Sequence, residues 1–416
     1  MRLRFGWTLA LAGMLGAWSV SAAAQELTLE DAVSRALAGH PALRAQGAAI
    51  TAAERQADLD ALAPPLAIGG ELENIAGSGP LTGTSGAEAT LRLSRVIELG
   101  GKRQARIALG QAEVSRQRHA AELARIEVAA ETARRFVDVL ADQSRLVVTR
   151  EAVTRAEQTR THVARWVEAG RSPDSDRHLA EIALGRARLG QEDAEHELLT
   201  ARMALASLWG EREPGFTAAS GDFEALPAVD AFETLAARLP DSADQQSFGR
   251  DIASLEARRH AAVASARPDV SLSLGVRRLE AVDAQALVFG VSVPLGNAPR
   301  SALGSARVDA ELAAVDARRE AAAHEAYQRL FALHQELQHA RHVFEAHRDQ
   351  LIPKAEQALA VNRRGYELGR FSFLVLIQSQ QQLAELRTAQ IEAAARYHAL
   401  FVDIERLTAT SGAATP

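Results

Sequence analysis

Two kinds of hydrophobic periodicity alternate along this chain, and each occurs in two separate places. Leu66, Ile68 and Leu72 fall on one face of an alternating stretch, with Ala67, Glu71 and Glu73 on the other. A little further on, Ala89, Leu91 and Leu93 oppose Glu88, Thr90, Arg92 and Ser94. Much later, Val270, Leu272, Leu274 and Val276 oppose Ser271, Ser273 and Arg277, while Leu287, Phe289, Val291 and Val293 oppose Gly290 and Ser292. Period-two patterning predicts strands with one apolar and one polar face, at about residues 65–74, 87–97, 268–278 and 286–294. Two hairpins covering a soluble core would give the same pattern. The strands of the first pair are joined through the turn-rich run Gly77–Gly86, those of the second through a shorter turn near Glu280–Ala284.

The rest of the chain follows the helical period. Thr28, with Asp31 three residues later, forms an approximate capping box for a helix over Leu29–Ala38. A second helix runs from His40-Pro41 to about Leu62. Between Gly110 and Gly170 there is neither glycine nor proline, so one helix of about 60 residues, ~90 Å long, is expected. The counterpart from Ser305 to Gly365 is interrupted at Pro353, where a kink or helix junction is expected. Leu123, Ile126, Ala130, Ala133, Val137, Leu140 and Val147 form a narrow stripe at three- and four-residue spacing, which suits a coiled-coil-like seam. Beyond Gly170-Arg171 and Gly369-Arg370, returning helices are expected over about Asp174–Leu208 and Phe373–Leu407, giving long hairpins at 102–210 and 300–408.

The chain is written twice. Ala61-Leu62-Ala63-Pro64-Pro65-Leu66-Ala67-Ile68 is echoed by Ala264-Ser265-Ala266-Arg267-Pro268-Asp269-Val270-Ser271. Val96-Ile97-Glu98-Leu99-Gly100 returns as Ser292-Val293-Pro294-Leu295-Gly296, and Glu168-Ala169-Gly170-Arg171 as Glu367-Leu368-Gly369-Arg370. All three echoes lie roughly 200 residues apart and in the same order, the signature of an internal duplication. The division expected is a leader at 1–24, a first repeat at 25–210, a linking segment at 211–240 with Pro214, Pro227 and Pro240 in or at its end, a second repeat at 241–410, and a disordered tail at 411–416. The fold class is mainly α with a small β portion, a duplicated unit of helix, strand, strand and long helical hairpin.

The first residues set the compartment. Arg2 and Arg4 precede an apolar run from Trp7 to Val20, followed by Ser21-Ala22-Ala23-Ala24, the layout of a cleaved secretory signal peptide. The run is shorter than the ~20 residues that span a bilayer, and a chain with no cysteine cannot carry an acylated N-terminal cysteine. No later apolar run is long enough for a transmembrane helix, so a place in a membrane would require a β-barrel. Absence of cysteine also excludes disulfides and thiolate chemistry. The formal charge is −6, two units more negative once Arg2 and Arg4 leave, which argues against nucleic acid as a partner. Aromatics are only 5%, in keeping with long helices packed side by side.

Catalytic patterns are missing. There is no phosphate-binding glycine loop, metalloprotease histidine pair or nucleophile elbow, so no catalytic, cofactor or metal residue is assigned. His324, His334, His339, His342 and His347 lie along one helix, and His339 and His342 could share a face, but a solvated helix face explains them better.

Four amphipathic strands cannot close a barrel, since single-chain barrels start near eight. Hairpins with so narrow a stripe leave apolar surface wet. Assembly of several copies about an axis removes both deficits, and three copies are compatible with the argument. At this point the layout resembles a known family. The leader, Leu27-Thr28-Leu29-Glu30-Asp31-Ala32-Val33 with Ala36-Leu37, His40-Pro41, then strands, long helices and glycine turns in duplicate, is similar to the TolC-type outer-membrane efflux proteins over the whole mature chain. Phe371-Ser372-Phe373-Leu374 after the second tip glycine most resembles the cobalt–zinc–cadmium resistance branch.

The resemblance implies a homotrimer with a 12-stranded β-barrel in outer-membrane lipid, standing on a periplasmic α-helical barrel. It implies an exit duct of a tripartite efflux system, not an enzyme, which passively conducts heavy-metal cations or small toxic compounds. These would be delivered by an inner-membrane resistance-nodulation-division pump through a periplasmic adaptor (membrane fusion) protein. The helix tips would dock the partner through Gly170, Arg171, Ser172, Gly369, Arg370 and Ser372, and Asp174 and Asp176 would form an acidic ring at the pore entrance. Where better-known members carry paired aspartates after the second tip glycine, this chain has Val375 and Gln378. A protein-secretion duct of the same fold and a periplasmic coiled coil without a barrel are the competing expectations.

Overall fold

A computed structural model describes residues 26–411. The expected leader, and the expected tail apart from Ser411, lie outside the described residues. In chain order the elements are β1 (Glu26–Leu27), α1 (Leu29–Gly39), α2 (Pro41–Asp60), β2 (Leu66–Glu73), β3 (Glu88–Ile97), α3 (Lys102–Glu168), α4 (Asp174–Ser207), β4 (Ala218–Ala219), α5 (Phe232–Arg238), α6 (Ala243–Ala264), β5 (Val270–Leu279), β6 (Ala284–Ser292), α7 (Asn297–Ala346), α8 (Ile352–Glu367) and α9 (Phe373–Thr408).

Local chemistry fixes the boundaries. The Thr28 hydroxyl accepts a hydrogen bond from the Asp31 amide at 3.2 Å and donates to the Asp31 carboxylate at 2.8 Å, so the capping pair bonds side chain to side chain. His40 caps α2 by accepting from the Ala42 amide through Nδ1 at 3.2 Å, with Pro41 in the first helical position, where its missing N–H costs nothing. Each strand-to-long-helix turn pivots on a left-handed glycine, Gly101 at φ +73° before α3 and Gly296 at φ +91° before α7. Between α7 and α8 the chain widens into a π-helical turn, His347–Leu351. Pro353 follows one residue later, at the second position of α8. It has no amide hydrogen to give the carbonyl four residues back, and the π turn absorbs that break without ending the helical path.

The four long strands form one antiparallel sheet in the order β2-β3-β5-β6, with β2 and β6 at the open edges. Its register lines Ile68, Leu93, Leu274 and Phe289 in one row and Gly70, Leu91, Val276 and Leu287 in the next. This face carries no covering layer: Ile68, Phe289 and Leu287 are 77%, 69% and 79% exposed. The opposite face is tied by charge. Arg92 pairs with Glu71 at 2.8 Å, and Arg277 with Glu88 at 2.7 Å and Glu73 at 3.0 Å.

The buried core lies elsewhere, midway along the hairpins. Leu27, Ala32, Phe136, Val139, Leu205, Phe216 and Ala219 form one cluster, drawn together by the short parallel pair β1–β4. Leu235, Leu239, Leu330, Leu337, Tyr397, Leu400 and Ile404 form a second. Residues 211–240 therefore supply core side chains to both hairpins as well as linking them. The helix α3 packs against α1, α2, α4, α6 and α9. One detail of the expected seam is corrected: Val147 is exposed and its neighbour Leu146 is buried. With partners on several sides, α3 buries positions around its circumference, and the single stripe read from the sequence is too narrow.

Candidate functional site

Two regions stand out as surfaces with work to do: the uncovered sheet face and the two hairpin tips. At the first tip α3 ends on Gly170 at φ +67°. The Arg171 amide reaches back to the Trp166 carbonyl at 2.8 Å and the Gly170 amide to Val167 at 3.0 Å. At the second tip Gly369 has φ +68°, with Arg370 bonded to Gly365 at 2.8 Å and Gly369 to Tyr366 at 2.9 Å. Both are the left-handed six-to-one, five-to-two helix terminators that glycine permits. Arg171 and Arg370 are exposed at equivalent positions, and neither has an ion-pair partner among the described residues.

Superposing these turns places Ser172 opposite Phe371, and Ser372 one residue later opposite Pro173; the latter two are the N-caps of α9 and α4. The two tips touch. Ser172 donates to Asp176 at 2.6 Å and lies 3.2 Å from the Tyr366 hydroxyl. The Tyr366 ring packs at a tilt 5.0 Å from Trp166 and 5.5 Å from Phe373, within a buried cluster with Val163, Ala180 and Leu376. Burial pushes the Tyr366 phenol above its usual range, the Ser172 hydrogen bond opposes this, and the Asp176 charge adds to it. Asp174, by contrast, is exposed and pairs with Arg177 at 2.8 Å. Asp176 thus serves the contact between hairpins, and Asp174, which also lies 3.5 Å from the His178 ring, is the more exposed of the two acids.

Above the tips, polar ties join the hairpins. Gln380 donates to Thr159 at 2.9 Å, and Arg387 bridges Glu151 of α3 and Glu356 of α8. The hydrogen bond from Arg155, helped by the Arg387 charge, holds the Glu151 carboxyl below its usual range. Sequence reasoning missed Trp166 and Tyr366, and noted Phe371 and Phe373 only as a mark of the resembled branch, not as a contact between hairpins. The available signal was four aromatics crowded about two tip glycines in a chain with 5% aromatics.

The histidines of α7 and of the π-helical turn after it do not converge. His334 is buried with its ring 5.9 Å from Phe232, His347 bonds through Nδ1 to the Val343 carbonyl at 2.7 Å, and His339 and His342 are exposed. Among the described residues no group of three or more His, Asp or Glu side chains is arranged to hold a metal ion. No helix among the described residues is long and apolar enough to cross a membrane.

The chain is 30% identical over 329 residues to the cobalt-zinc-cadmium resistance protein CzcC of Cupriavidus metallidurans, covering 77% of this chain and 76% of that one. It belongs to the outer membrane efflux protein family. The family's own sequence model matches residues 32–211, and this efflux protein is also 27% identical over 310 residues to the nickel and cobalt resistance protein CnrC of the same organism, 72% of this chain and 71% of that one. A crystal structure of a membrane protein from Pseudomonas aeruginosa shares its fold, with a TM-score of 0.77, 20% identity, and coverage of 92% of this chain and 90% of that one. The efflux protein is an outer-membrane channel, mainly helical with a small sheet.

Proposed function

We propose that three copies of this chain pool their sheets into a 12-stranded barrel and their hairpins into a tunnel below it. The assembly is the exit duct for heavy-metal cations expelled by an inner-membrane pump. The observation that carries this reading is the four-stranded sheet with open backbone edges at β2 and β6 and an exposed apolar face. In lipid an unpaired edge costs several kcal/mol per orphaned group; closing β6 of one copy onto β2 of the next removes every edge at once. The internal ion pairs Glu71–Arg92 and Glu73–Arg277–Glu88 then line the lumen.

In this arrangement the tips point into the periplasm, and Arg171, Arg370, Gly170, Gly369 and Ser372 meet a periplasmic adaptor, which connects to a pump of the resistance-nodulation-division type. Ser172 and Asp176 hold the two tips of one copy together, and Asp174 faces the entrance. The cargo is inferred from the metal-resistance names of the two relatives. The duct itself does not choose it, for among the described residues there is no converging ligand set; charge at its narrowest ring only enriches ions of opposite sign. The decisive experiment is mass measurement of the detergent-extracted protein together with surface labelling of single cysteines. A trimer, with Ser78→Cys labelled on intact cells and Ser172→Cys protected, is expected. A stable monomer, or labelling at Ser172→Cys instead, would overturn the assembly.

A further inference from the structure

We infer that the periplasmic rim of the barrel is a binding surface for anionic phospholipid headgroups, built from Arg95, Arg103, Arg267 and Arg300. The inference rests on the membrane placement proposed above. Arg95 lies in β3 between Leu66 and Leu272 in register, on the same face as Leu93 and Ile97, so it points to lipid. It is the single cation on that face at the helical end of the sheet. Arg103 is the second residue of α3 and donates to the Ala61 carbonyl at 2.6 Å. Arg267 lies between α6 and β5, its side chain against Gly100. Arg300 sits in the first turn of α7, beside Ser301, which donates to the Ala262 carbonyl of α6 at 2.7 Å. All four belong to the junction of sheet and helices, and all four are exposed.

What distinguishes them is the lack of a carboxylate. The acids of the junction are engaged: Asp269 by Lys102 at 2.7 Å, Glu98 by Arg106, and Asp60 by Gln56 at 3.0 Å. None of the four arginines has an ion-pair partner among the described residues. The other end of the sheet is the reverse. There Arg277 pairs with Glu88 and Glu73, and Arg278 with Asp283 and with Glu280 at 3.4 Å. A chain of net charge −6 thus leaves its guanidiniums free at one membrane boundary only. They stand beside exposed apolar side chains that continue the lipid face onto the helix ends, Leu62, Leu295 and Leu303. An arginine there lays its stem along acyl chain and lifts its charge to the headgroup layer, where a phosphodiester accepts two parallel hydrogen bonds.

The test reconstitutes the full chain into vesicles of phosphatidylcholine containing a minority of phosphatidylglycerol, extracts it in mild detergent, and quantifies the phospholipid retained. Each cation near an anionic surface strengthens attraction roughly five-fold, so phosphatidylglycerol should be retained at about five times its bulk ratio or more, and less so in high salt. The variant Arg95→Gln/Arg103→Gln/Arg267→Gln/Arg300→Gln should return to the bulk ratio, while the corresponding fourfold lysine variant keeps most of the enrichment. Retention at the bulk ratio by the unmodified chain overturns the inference and leaves the barrel standing. So does enrichment that survives in the glutamine variant, or a loss of anion preference in planar bilayers with lipid retention unchanged, which would put the guanidiniums in the lumen. Failure to enter vesicles of either lipid overturns the barrel, and the inference with it.

Discussion

The two hairpin tips have one backbone and opposite surfaces. Gly170 and Gly369 differ by a degree in φ and close the same pair of hydrogen bonds. Yet after the glycine and arginine the first tip continues Ser172, Asp174, Asp176, and the second Phe371, Phe373, Val375 at the matching positions. Inside the preceding helix the exchange runs the other way, with Trp166 in the first hairpin where the second has Gly365. Phe371 folds onto the space that Gly365 leaves, and Tyr366, next to it, reaches across to Trp166 and Ser172. Duplication supplied two identical turns. Divergence then made one polar and one aromatic, so that each provides what the other lacks, and both keep an exposed arginine at the same place. The difference teaches that the invariant part of the tip is its backbone and that arginine, while the varied part is the contact between hairpins.

That comparison can be broken most severely at Gly365. A Cβ there meets the Phe371 ring, so Gly365→Leu should eject the ring at a cost of about 1–3 kcal/mol for overpacking. Hydrogen exchange should then show the second tip opening while the start of α4 stays protected; unchanged exchange would mean that Phe371 has room to spare. A step smaller are Gly170→Val and Gly369→Val, each of which forces a β-branched residue into left-handed backbone at about 1–2 kcal/mol. The two should lose the same protection in their own turns. An effect at one tip and none at the other would deny that the turns are equivalent. Smallest is Tyr366→Phe, which removes the hydroxyl beside Ser172 and should cost about 0.5–1.5 kcal/mol. Faster exchange at the first tip, caused by a change in the second hairpin, is the expected sign of their coupling, and an effect confined to the second hairpin would remove it.

How much of this was legible depends on the range of the interaction. The sheet faces were readable because strand side chains alternate with period two, and Leu91, Leu93, Val276 and Phe289 needed only their own neighbours to declare a side. Pro353 announced a break for the same local reason. The form of the break, a π-helical turn over His347–Leu351, was not readable, because widening and kinking both satisfy a missing amide. The tip glycines declared the turns, but the tip contact was hidden. Ser172 and Tyr366 are 194 positions apart, and nothing around Tyr366 says which hairpin it touches. The pair β1–β4 was missed because two residues carry no period, and its anchors Leu27 and Phe216 are buried by elements far off in the chain. Residue 147 was misassigned because a helix packed on many sides has no single face to read.

The register of the sheet also bears on how the molecule comes into being. Each flanking hairpin, β2 with β3 and β5 with β6, joins neighbours in sequence, but the central pairing does not: Arg277 reaches Thr90 and Glu88 across 187 and 189 residues. Pairings this distant must close a long loop before they yield any contact, and they form slowly. The helical hairpins, made of local contacts, have no such delay. The four-stranded sheet should therefore be the last part to order, after the second half of the chain has arrived and the helices between have brought the two strand pairs together. Until then its apolar residues belong to two short, separate ribbons. A delay of this kind keeps a broad apolar surface unassembled while the polypeptide is still in water.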